Sequence, residues 1–434
     1  MHAQPIIKIC ADKTCELQLE PGMKLLFVHQ NFPGQWVHLA RHYQKTGHEV
    51  VAIRDAANER KDFLPTATYS FPTPVMPNPH PVPLAAHFEE RVARAEAVAI
   101  AAFELKKRGF EPDLIAGHGG WGESLLIKEI WPKARSILYA EFCYRTTGAD
   151  TDFDPEFGKS SMRGHLNTAA KNAVMFTALA YADRGLAPTQ WQRDGFPEHM
   201  RRHIEVIHDG IDTDVVKPNP DAALVVNENL VIKPGDEVVT FVSRNLEPYR
   251  GYHIFMRALP KILSANPKAR VVIVGGDGVS YGRAAPAGKT WAGIFKDEVK
   301  DRIDMSRVHF LGRVPYSTYL NVLQVSSAHV YLTYPFVLSW SMLEALSAGC
   351  VVVGSATPPV EEVILPGKNG ILVDFFDHAA LADAVTRVLK SPKKYERIRK
   401  AARETAVTRY DLQKICLPRL CTFFENTAAG KSWS

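Results

Sequence analysis

The stretch LLFVHQNFPGQWVHLARHYQKTGHEVVAI, residues 25–53, contains one strand–helix–strand unit. The apolar run Leu25–Val28 predicts a strand, and after the loop HQNFPGQ a helical pattern continues to about Lys45. Gly47 ends that helix, and Val50–Ile53 predicts the next strand. Short apolar strands joined by helices are typical of parallel sheets that are covered on both faces.

The same alternation continues along the chain with one interruption, and it includes a predicted helix over residues 122–130. Residues 217–236, KPNPDAALVVNENLVIKPGD, carry the prolines and polar side chains of a domain connection. A chain of 434 residues is also too long for a single hydrophobic core. The pattern predicts an α/β protein with two doubly wound, Rossmann-like domains facing a cleft, over residues 23–217 and 218–407, and an N-terminal extension over residues 1–22.

The composition excludes several classes of protein. The net charge of +5, from 52 basic and 47 acidic residues, is too slight for a nucleic-acid-binding protein. No apolar run reaches the roughly 18 residues of a membrane span, and the N-terminus lacks the apolar core of a signal peptide. The six cysteines have no CxxC spacing and predict reduced thiols rather than a metal site. We expect a cytoplasmic protein; a peripheral membrane contact and the oligomeric state stay open.

Ligands of open parallel sheets bind where the strands end. In the first domain, polar and glycine residues follow the predicted strands: Asn31, Gly34, His118, Trp121 and Glu141. Gly34 allows backbone amides to approach an anion, or simply forms a strand-to-helix turn. HQNFPGQ is not the GxGxxG fingerprint, which disfavours a nicotinamide enzyme. The imidazole of His118 is suited to bonding a substrate hydroxyl or moving protons, although a lone histidine is more often structural.

In the second domain, Arg244 and Arg250 follow a predicted strand and flank LEPY. Guanidiniums bind phosphate oxygens in pairs, so these two predict a diphosphate clamp; solvated surface arginines are the alternative. Gly275 ends the next strand, and the insertion DGVSYGRAAPAGKTWAG, residues 277–293, follows it. The insertion is either a lid with Tyr281 as its candidate contact or an ordinary surface loop.

A helix is predicted within YPFVLSWSMLEALSAGC, residues 334–350. Ser339 or Ser341 caps it, and its free N–H groups suit a phosphate. Glu344 lies one turn inside and reaches back toward the same ligand, where a ribose fits, unless it is a solvent-facing glutamate.

An acidic segment, TDFDPEF at residues 151–157, has the residue types of a cation site or of a flexible loop, and we expect the loop. The sequence contains no GxxxxGK[ST] or HExxH motif. We therefore expect neither a metal nor a cofactor.

Several of these segments resemble retaining glycosyltransferases of family 4, which have the GT-B fold. The most specific segments are SRNLEPYRG (243–251), LGRVPYSTY (311–319), LEALSAGCVVVGS (343–355) and PPVEEVILPGKNGILV (358–373). The resemblance implies that a C-terminal helix, within residues 408–434, completes the first domain. It also implies a nucleotide-diphosphate sugar donor bound by the second domain and a sugar or glycoconjugate acceptor bound by the first.

The resemblance also assigns roles. Arg244 matches the family's arginine on the donor diphosphate, and Arg250 stands where the family usually has lysine. Val314 falls in the segment beside the nucleobase, Glu344 matches the ribose glutamate, and His118 matches a histidine beside the donor sugar. The remaining donor candidates are Gly34, Gly275, Leu338, Ser339, Trp340 and Ser341, and the acceptor candidates are Asn31, Trp121, Glu141 and Tyr281.

Phe336 departs from the family pattern. It stands at the first glutamate of E-x7-E, the residue that usually lies near the transferred sugar, and a phenyl ring accepts no hydrogen bond from a sugar hydroxyl. Either the donor sugar is recognised differently or transfer is weakened or lost, and we favour the first. The expected activity is metal-independent, retaining glycosyl transfer in polysaccharide or glycoconjugate synthesis. A nucleotide-sugar epimerase or hydrolase, or a non-catalytic nucleotide-sugar-binding protein, is the alternative.

Overall fold

The structure is a computed structural model that describes residues 22–60, 63, 65–75 and 82–431. The predicted N-terminal extension therefore lies outside the described residues, except for Gly22. In the part described, the strands are β1 Lys24–Val28, β2 Glu49–Asp55, β3 Ala67–Phe71, β4 Leu114–His118, β5 Arg135–Tyr139, β6 Arg184–Ala187, β7 Ile204–Val206, β8 Leu224–Asn227, β9 Leu230–Ile232, β10 Val238–Asn245, β11 Arg270–Gly276, β12 Val308–Gly312, β13 Ala328–Tyr331, β14 Val352–Ser355 and β15 Ile371–Val373.

The α-helices are α1 Val37–Lys45, α2 Ala86–Lys107, α3 Ile127–Ile130, α4 Met162–Ala170, α5 Asn172–Tyr181, α6 Gln190–Asp194, α7 Glu198–Arg201, α8 Tyr252–Ala265, α9 Trp291–Val299, α10 Tyr316–Gln324, α11 Trp340–Ser347, α12 Pro358–Glu361, α13 His378–Lys390, α14 Glu396–Arg409 and α15 Leu417–Ala428. Short 3-10 turns and one π-helical turn, Leu412–Cys416, join some of them. No helix in the ranges described has the length and apolar character to cross a bilayer.

The strands form two parallel sheets, as the alternation predicts. The first has the order β3-β2-β1-β4-β5-β6-β7, and the second has the order β12-β11-β10-β13-β14-β15. In the first, Leu25 pairs with Val50 on one side and with Leu114 on the other, and all three side chains are buried. We call the body built on β1–β7 the first lobe and the body built on β10–β15 the second lobe. A small antiparallel pair, β8 and β9, stands between them in the chain.

The last helix, α15, returns to the first lobe. The ring of Phe424 lies 5.9 Å from the ring of Trp36, just before α1, and 6.2 Å from the ring of Tyr43 within α1. The chain crosses back near Ile211, which pairs with Asp411. The boundaries at residues 217 and 407 stay predictions.

One predicted helix is shorter than expected. The pattern predicts a helix over residues 122–130, but α3 begins only at Ile127. Gly122 has φ of 91°, and a Cβ there would lie 2.4 Å from the carbonyl oxygen of Arg91. The loop after β4 is therefore pressed against α2 in a conformation that a continuing helix does not allow.

Candidate functional site

A pocket of about 440 Å³ lies where β10, β11 and β12 end. It is lined by Ser243, Arg244, Val274, Gly275, Arg313, Val314, Tyr316 and Tyr319. Three predicted donor-binding residues, Arg244, Gly275 and Val314, are thus brought together. Gly275 is required by packing, because a Cβ there would lie 2.9 Å from the carbonyl oxygen of Ser243. The other predicted donor-side residues are not among the lining residues: Gly34, Arg250, Leu338, Ser339, Trp340, Ser341 and Glu344.

Glu344 lies under the tyrosines of this pocket. Its carboxylate oxygens accept hydrogen bonds from the Tyr316 hydroxyl at 2.7 Å and from the Tyr319 hydroxyl at 2.6 Å. Burial raises the pKa of Glu344, and the two hydroxyls act against that rise. The side chain is thus a fixed acceptor beside the pocket rather than a freely solvated glutamate. Each oxygen keeps a lone pair for a further donor.

Arg250 does not line the pocket and is fixed by other neighbours in the second lobe. Its side chain is buried, and Nη1 donates to the Thr333 hydroxyl at 2.8 Å and to the Val337 carbonyl at 2.9 Å. Gly251 follows with φ of 65°, and a Cβ there would lie 2.3 Å from Cβ of Leu332. Only glycine fits this close turn, which sets the direction of the preceding arginine.

The N-terminus of α11 is capped by Ser339, whose hydroxyl accepts from the Ser341 amide at 3.3 Å. The Ser339 amide donates to the Tyr331 hydroxyl at 2.9 Å, so it has a partner already. Leu338 is buried in the core, and the Trp340 indole donates to Asp209 at 2.9 Å. For Leu338 and Trp340 the side chains are thus engaged in packing and in an interlobe hydrogen bond.

His118 and Glu141 follow β4 and β5 in the first lobe. Nδ1 of His118 accepts from the Gly120 amide at 3.0 Å, which leaves the proton of a neutral ring on Nε2. Nε2 lies 3.3 Å from Glu141, at ion-pair distance but without hydrogen-bond alignment. Burial raises the pKa of Glu141, but His118, Arg244 and Arg250 outweigh it and hold the pKa below its usual value. The field of the second lobe's arginines thus reaches this first-lobe pair.

The other first-lobe candidates surround His118. The Trp121 ring lies 5.6 Å from the His118 ring, and the His29 ring lies 6.0 Å from it on another side. Burial and the charge of His118 lower the pKa of His29 to about 3. The backbone amide of exposed Asn31 donates to Nδ1 of His29 at 3.0 Å. Gly34 approaches the His29 ring so closely that a Cβ on it would lie 3.1 Å from the ring. Asn31 and Gly34 therefore shape the surroundings of His29.

Phe336 belongs to an aromatic cluster between the lobes. Its ring lies 4.5 Å from Phe142 of the first lobe, 5.5 Å from Tyr249 and 5.1 Å from Tyr281. The Arg250 guanidinium lies 5.0 Å from the centre of the Tyr281 ring. Phe336 is thus surrounded by aromatic rings, an environment that would not suit a carboxylate. The cluster has an apolar surface next to the buried guanidinium of Arg250.

The loop that carries Tyr281 is attached to the second lobe. The buried carboxylate of Glu247 accepts from the amides of Ser280 at 3.1 Å and of Tyr281 and Gly282 at 3.3 Å. Asn245 donates to the Ser280 hydroxyl at 2.7 Å. This start of the insertion is therefore held by hydrogen bonds close to Arg250.

The acidic segment is not a flexible loop. Asp154 accepts from His253 at 2.9 Å and from the Tyr334 hydroxyl at 2.8 Å, while Glu156 pairs with Arg257 at 2.5 Å. The Phe153 ring packs 5.1 Å from Tyr334. We call residues 150–157 the strap, because this part of the first lobe is tied to the second. Ligand atoms of Asp154, Glu156 and His253 lie within 4.8 Å of one another, a spacing that a cation tolerates, but each already has a partner.

Sequence reasoning missed several residues at this site. Arg313 and Tyr316 line the pocket, and their positions beside Val314 in LGRVPYSTY were the available signal. Glu247 and Tyr249 lie between the two predicted arginines. Asp209 had no signal, since its contacts to Tyr139 and Trp340 come from distant parts of the chain.

Comparisons with known proteins agree with this geometry. The family model described as glycosyl transferase family 4 group matches residues 46–216, and the model described as glycosyl transferases group 1 matches residues 227–405. The D-inositol 3-phosphate glycosyltransferase of Mycolicibacterium smegmatis is 30% identical over 191 residues, which are 44% of this chain and 40% of that protein. The chain thus matches less than half the length of this relative.

Solved structures show the fold. The Anabaena protein HepE, in complex with UDP and glucose, has a TM-score of 0.67 at 18% identity, over 93% of this chain and 100% of that chain. Sucrose-phosphate synthase from Thermosynechococcus elongatus has a TM-score of 0.68 at 18% identity, over 94% and 100%. The predicted GT-B fold is confirmed. With two family models matched in succession over most of its length, the chain belongs to glycosyltransferase family 4.

Proposed function

We propose that the protein transfers a sugar from a nucleoside diphosphate sugar to a hydroxyl group, with retention of anomeric configuration and without a metal. One observation carries this proposal: Arg244, Gly275 and Val314 meet in one pocket where strands of the second lobe end, and the hydroxyls of the two pocket tyrosines hold Glu344 beside it. The names of the relatives support a nucleotide-sugar donor, because HepE was solved with UDP and glucose and the Mycolicibacterium smegmatis relative is named a glycosyltransferase.

The arginines supply the chemistry for departure of a diphosphate. Negative charge develops on the leaving phosphate as the glycosidic bond breaks, and fixed cations stabilise that charge without reorganising. Arg250 is held by Thr333 and Val337, and Arg313 donates to Asn245 at 3.2 Å, so two of the three guanidiniums near the pocket are oriented before a donor binds. We include metal independence in the proposal, because this positive charge would neutralise the leaving diphosphate without a metal ion.

The pocket itself suits the nucleoside. Val314 and Gly275 offer backbone surface to a base, while Glu344 and its two tyrosines offer acceptors and donors to a ribose. His118 orients the donor sugar. The phosphate oxygen that departs from the anomeric carbon takes the proton of the acceptor hydroxyl on the same face of the sugar. The acceptor's oxygen then forms its bond to the anomeric carbon on the same face, which retains the configuration.

Phe336 changes which donor sugar the site binds, compared with a family member that has glutamate at this position. Its cluster with Phe142, Tyr249 and Tyr281 provides apolar ring surface and one buried cation, rather than a carboxylate for sugar hydroxyls. We propose that the transferred sugar packs against these rings. This observation favours altered donor recognition over loss of transfer, because the arginines and Glu344 keep their positions.

The test uses Arg244→Gln and Glu344→Gln, with Lys368→Gln on the exposed surface of the second lobe as the matched control. A panel of nucleoside diphosphate sugars is incubated with and without acceptors, and nucleotide release and the anomeric configuration of the product are measured. We expect Arg244→Gln to lose about 100- to 1,000-fold in turnover, which is the usual cost of one donor to a developing anion. The control is expected to transfer sugar at the unmutated rate.

Three results would contradict the proposal in different ways. Unchanged transfer by both variants under subsaturating donor would remove the pocket from the mechanism. Equal turnover without any acceptor would indicate a hydrolase or an epimerase. Saturable nucleotide binding without turnover on any acceptor would indicate a binding protein.

A further inference from the structure

Two arginines on α2 of the first lobe have their side chains inside the protein. Arg91 and Arg94 are each 8% exposed, and they face the loop that follows β4. A Cβ on Gly122 of that loop would lie 2.4 Å from the Arg91 carbonyl oxygen, so loop and helix are in direct contact. The Arg91 guanidinium lies 5.4 Å from the centre of the Trp121 ring.

These two guanidiniums have few partners. Both turn to the same carboxylate: Nη1 of Arg91 lies 2.5 Å from Glu90, and Nη2 of Arg94 lies 3.5 Å from the same oxygen. Nη1 of Arg94 also lies 3.4 Å from the Trp121 carbonyl oxygen. Neither Nε has a hydrogen-bond partner among the described residues. Because a buried charge is costly unless it is paired, one shared glutamate leaves the cluster incomplete.

Further cations surround the pair. Burial and then the charges of Arg91, Lys171 and Arg94 lower the pKa of His87 to about 4, although Glu90 acts against them. The ammonium of Lys171 lies 5.1 Å from the centre of the Tyr144 ring. The site therefore carries an excess of positive charge that Glu90 balances only in part.

Three other acidic groups lie nearby, and the charges of Glu123 and Asp55 reach Arg94. Burial raises the pKa of Glu123, one of whose oxygens accepts from the Gln30 amide at 2.8 Å while the other has no hydrogen-bond partner among the described residues. Asp55 accepts from the Thr73 hydroxyl at 2.6 Å, and Asp150 accepts from the Tyr249 hydroxyl at 2.6 Å. None of the three has a direct ion pair with Arg91 or Arg94 in the part of the chain described.

Trp121 connects this cluster to the reaction centre. One side of the indole lies against Arg91, and the His118 ring lies 5.6 Å from the indole. Arg91 and His118 thus contact the same indole, so an anion bound at the arginines would lie one side chain away from His118.

We propose that the acceptor carries an anionic group, phosphate or carboxylate, which binds to Arg91 and Arg94 with Lys171 at the edge. Guanidiniums bind either anion through paired N–H groups, and desolvation strengthens such bonds. The inference rests on the proposed function, since it names the class of acceptor for the same cleft. It adds Arg91 and Arg94 as residues that determine acceptor specificity.

The experiment measures thermal unfolding of the wild type saturated with the nucleoside diphosphate that stabilises it most. Glucose 6-phosphate, glucuronic acid, inorganic phosphate and neutral glucose are added at constant ionic strength. Occupying the donor pocket first prevents the anions from binding there. We expect at least one anion to raise the unfolding temperature while glucose does not, and the two sugar acids distinguish phosphate from carboxylate.

Variants then locate the anion. Arg91→Gln and Arg94→Gln are each expected to lower the apparent anion affinity by about tenfold or more, as loss of a charged hydrogen bond does. Lys107→Gln, on the same helix but 56% exposed and paired with Glu104, is the control and is expected to bind anions as the wild type does. Lys171→Gln leaves both buried arginines in place and is expected to weaken binding several-fold, so it tests the site even if an arginine variant does not fold.

Stabilisation by the nucleoside diphosphate separates the two proposals. If it is retained in all variants while no anion stabilises the wild type, or glucose stabilises equally, this inference is wrong and the proposed function stands. If anions stabilise through Arg91 and Arg94 but no nucleoside diphosphate stabilises the wild type, the proposed function is wrong and the anion site stands.

Discussion

The two sides of the cleft hold their charged side chains in different ways. In the second lobe, Arg250 donates to Thr333 and Val337, and Glu344 is bonded to two tyrosine hydroxyls. In the first lobe, Arg91 and Arg94 share one glutamate and have unpartnered Nε atoms. The charged groups of the second lobe are thus bonded internally, whereas Arg91 and Arg94 of the first lobe keep charge that Glu90 balances only in part among the described residues.

This difference fits the roles that we propose for the two lobes. Stabilising a leaving diphosphate requires cations that do not reorganise during the reaction, so neutral hydrogen-bond partners hold them and leave their charge intact. Binding an acceptor requires groups whose charge is completed by the ligand, and this supplies specificity because the wrong ligand leaves them unpaired. A side chain's partners, and not only its charge, therefore indicate its part in the site.

The largest expected effect on turnover comes from replacing Arg250, which is hydrogen-bonded within the second lobe. Arg250→Ala removes a buried cation beside the pocket and leaves the Thr333 hydroxyl and Val337 carbonyl without their donor. We expect turnover to fall by about 100- to 1,000-fold. Arg250→Lys keeps the charge but has no planar fork, so we expect an intermediate loss. Steady-state kinetics on the donor identified above measures both.

Arg387→Gln, on an exposed part of α13, is the control for Arg250 and is expected to keep its rate. A turnover of Arg250→Ala equal to that of the wild type would show that the internal bonds of the second lobe serve only the fold. The comparison between the two sides would then lose its functional meaning.

The second prediction concerns the strap, which crosses from one side to the other. Asp154→Ala removes the acceptor for both His253 and Tyr334, whose side chains are buried. We expect the free energy of unfolding to fall by about 3 kcal/mol, the scale of a broken buried charged pair. Asp297→Ala removes an exposed ion pair with Lys300 and is expected to leave the free energy of unfolding nearly unchanged, because solvent screens such a pair.

Calorimetry of both variants gives the outcome. If the strap couples the lobes, Asp154→Ala also separates the single unfolding transition into two. Equal unfolding temperatures for Asp154→Ala and Asp297→Ala would mean that the strap adds nothing to the association of the lobes.

The fold could be predicted from the sequence because local patterns specify it. Buried parallel strands require continuous apolar runs such as Leu25–Val28, and Gly47 ends the intervening helix whatever the rest of the chain does. The exception, the loop before α3, depends on contact between Gly122 and Arg91, residues brought together only by folding. Periodicity contains no information about such a contact.

The site could be predicted where strand ends bring residues together. Arg244, Gly275 and Val314 follow three neighbouring strands and do meet in one pocket, while their roles there stay predictions. Packing overrides the pattern at Trp340, which turns to Asp209. The strap escaped the sequence reading, because its partners His253 and Tyr334 lie about a hundred residues or more away in the chain.

The smallest expected effect is a pH dependence at Asp209, where the two sides are bonded directly. Asp209 accepts from Tyr139 of the first lobe at 3.0 Å and from Trp340 of the second at 2.9 Å, and burial raises its pKa to about 7. Between about pH 4 and pH 7 the folded protein keeps a proton that the unfolded chain releases, so the contribution of this group to stability falls as pH rises through that window and is constant above it.

Asp209→Asn resembles the protonated acid and keeps acceptors for both bonds. We expect it to abolish this slope and to gain roughly 1–2 kcal/mol at pH 8, less than the full linkage because the new amide needs a partner of its own. Unfolding measured from pH 4 to pH 8 tests this, with exposed Asp221→Asn as the control that keeps the slope of the wild type. A variant at Asp209 that loses stability equally at every pH would mean that the carboxylate is ionised throughout, and that the lobes are joined there by a charged contact instead of a protonated one.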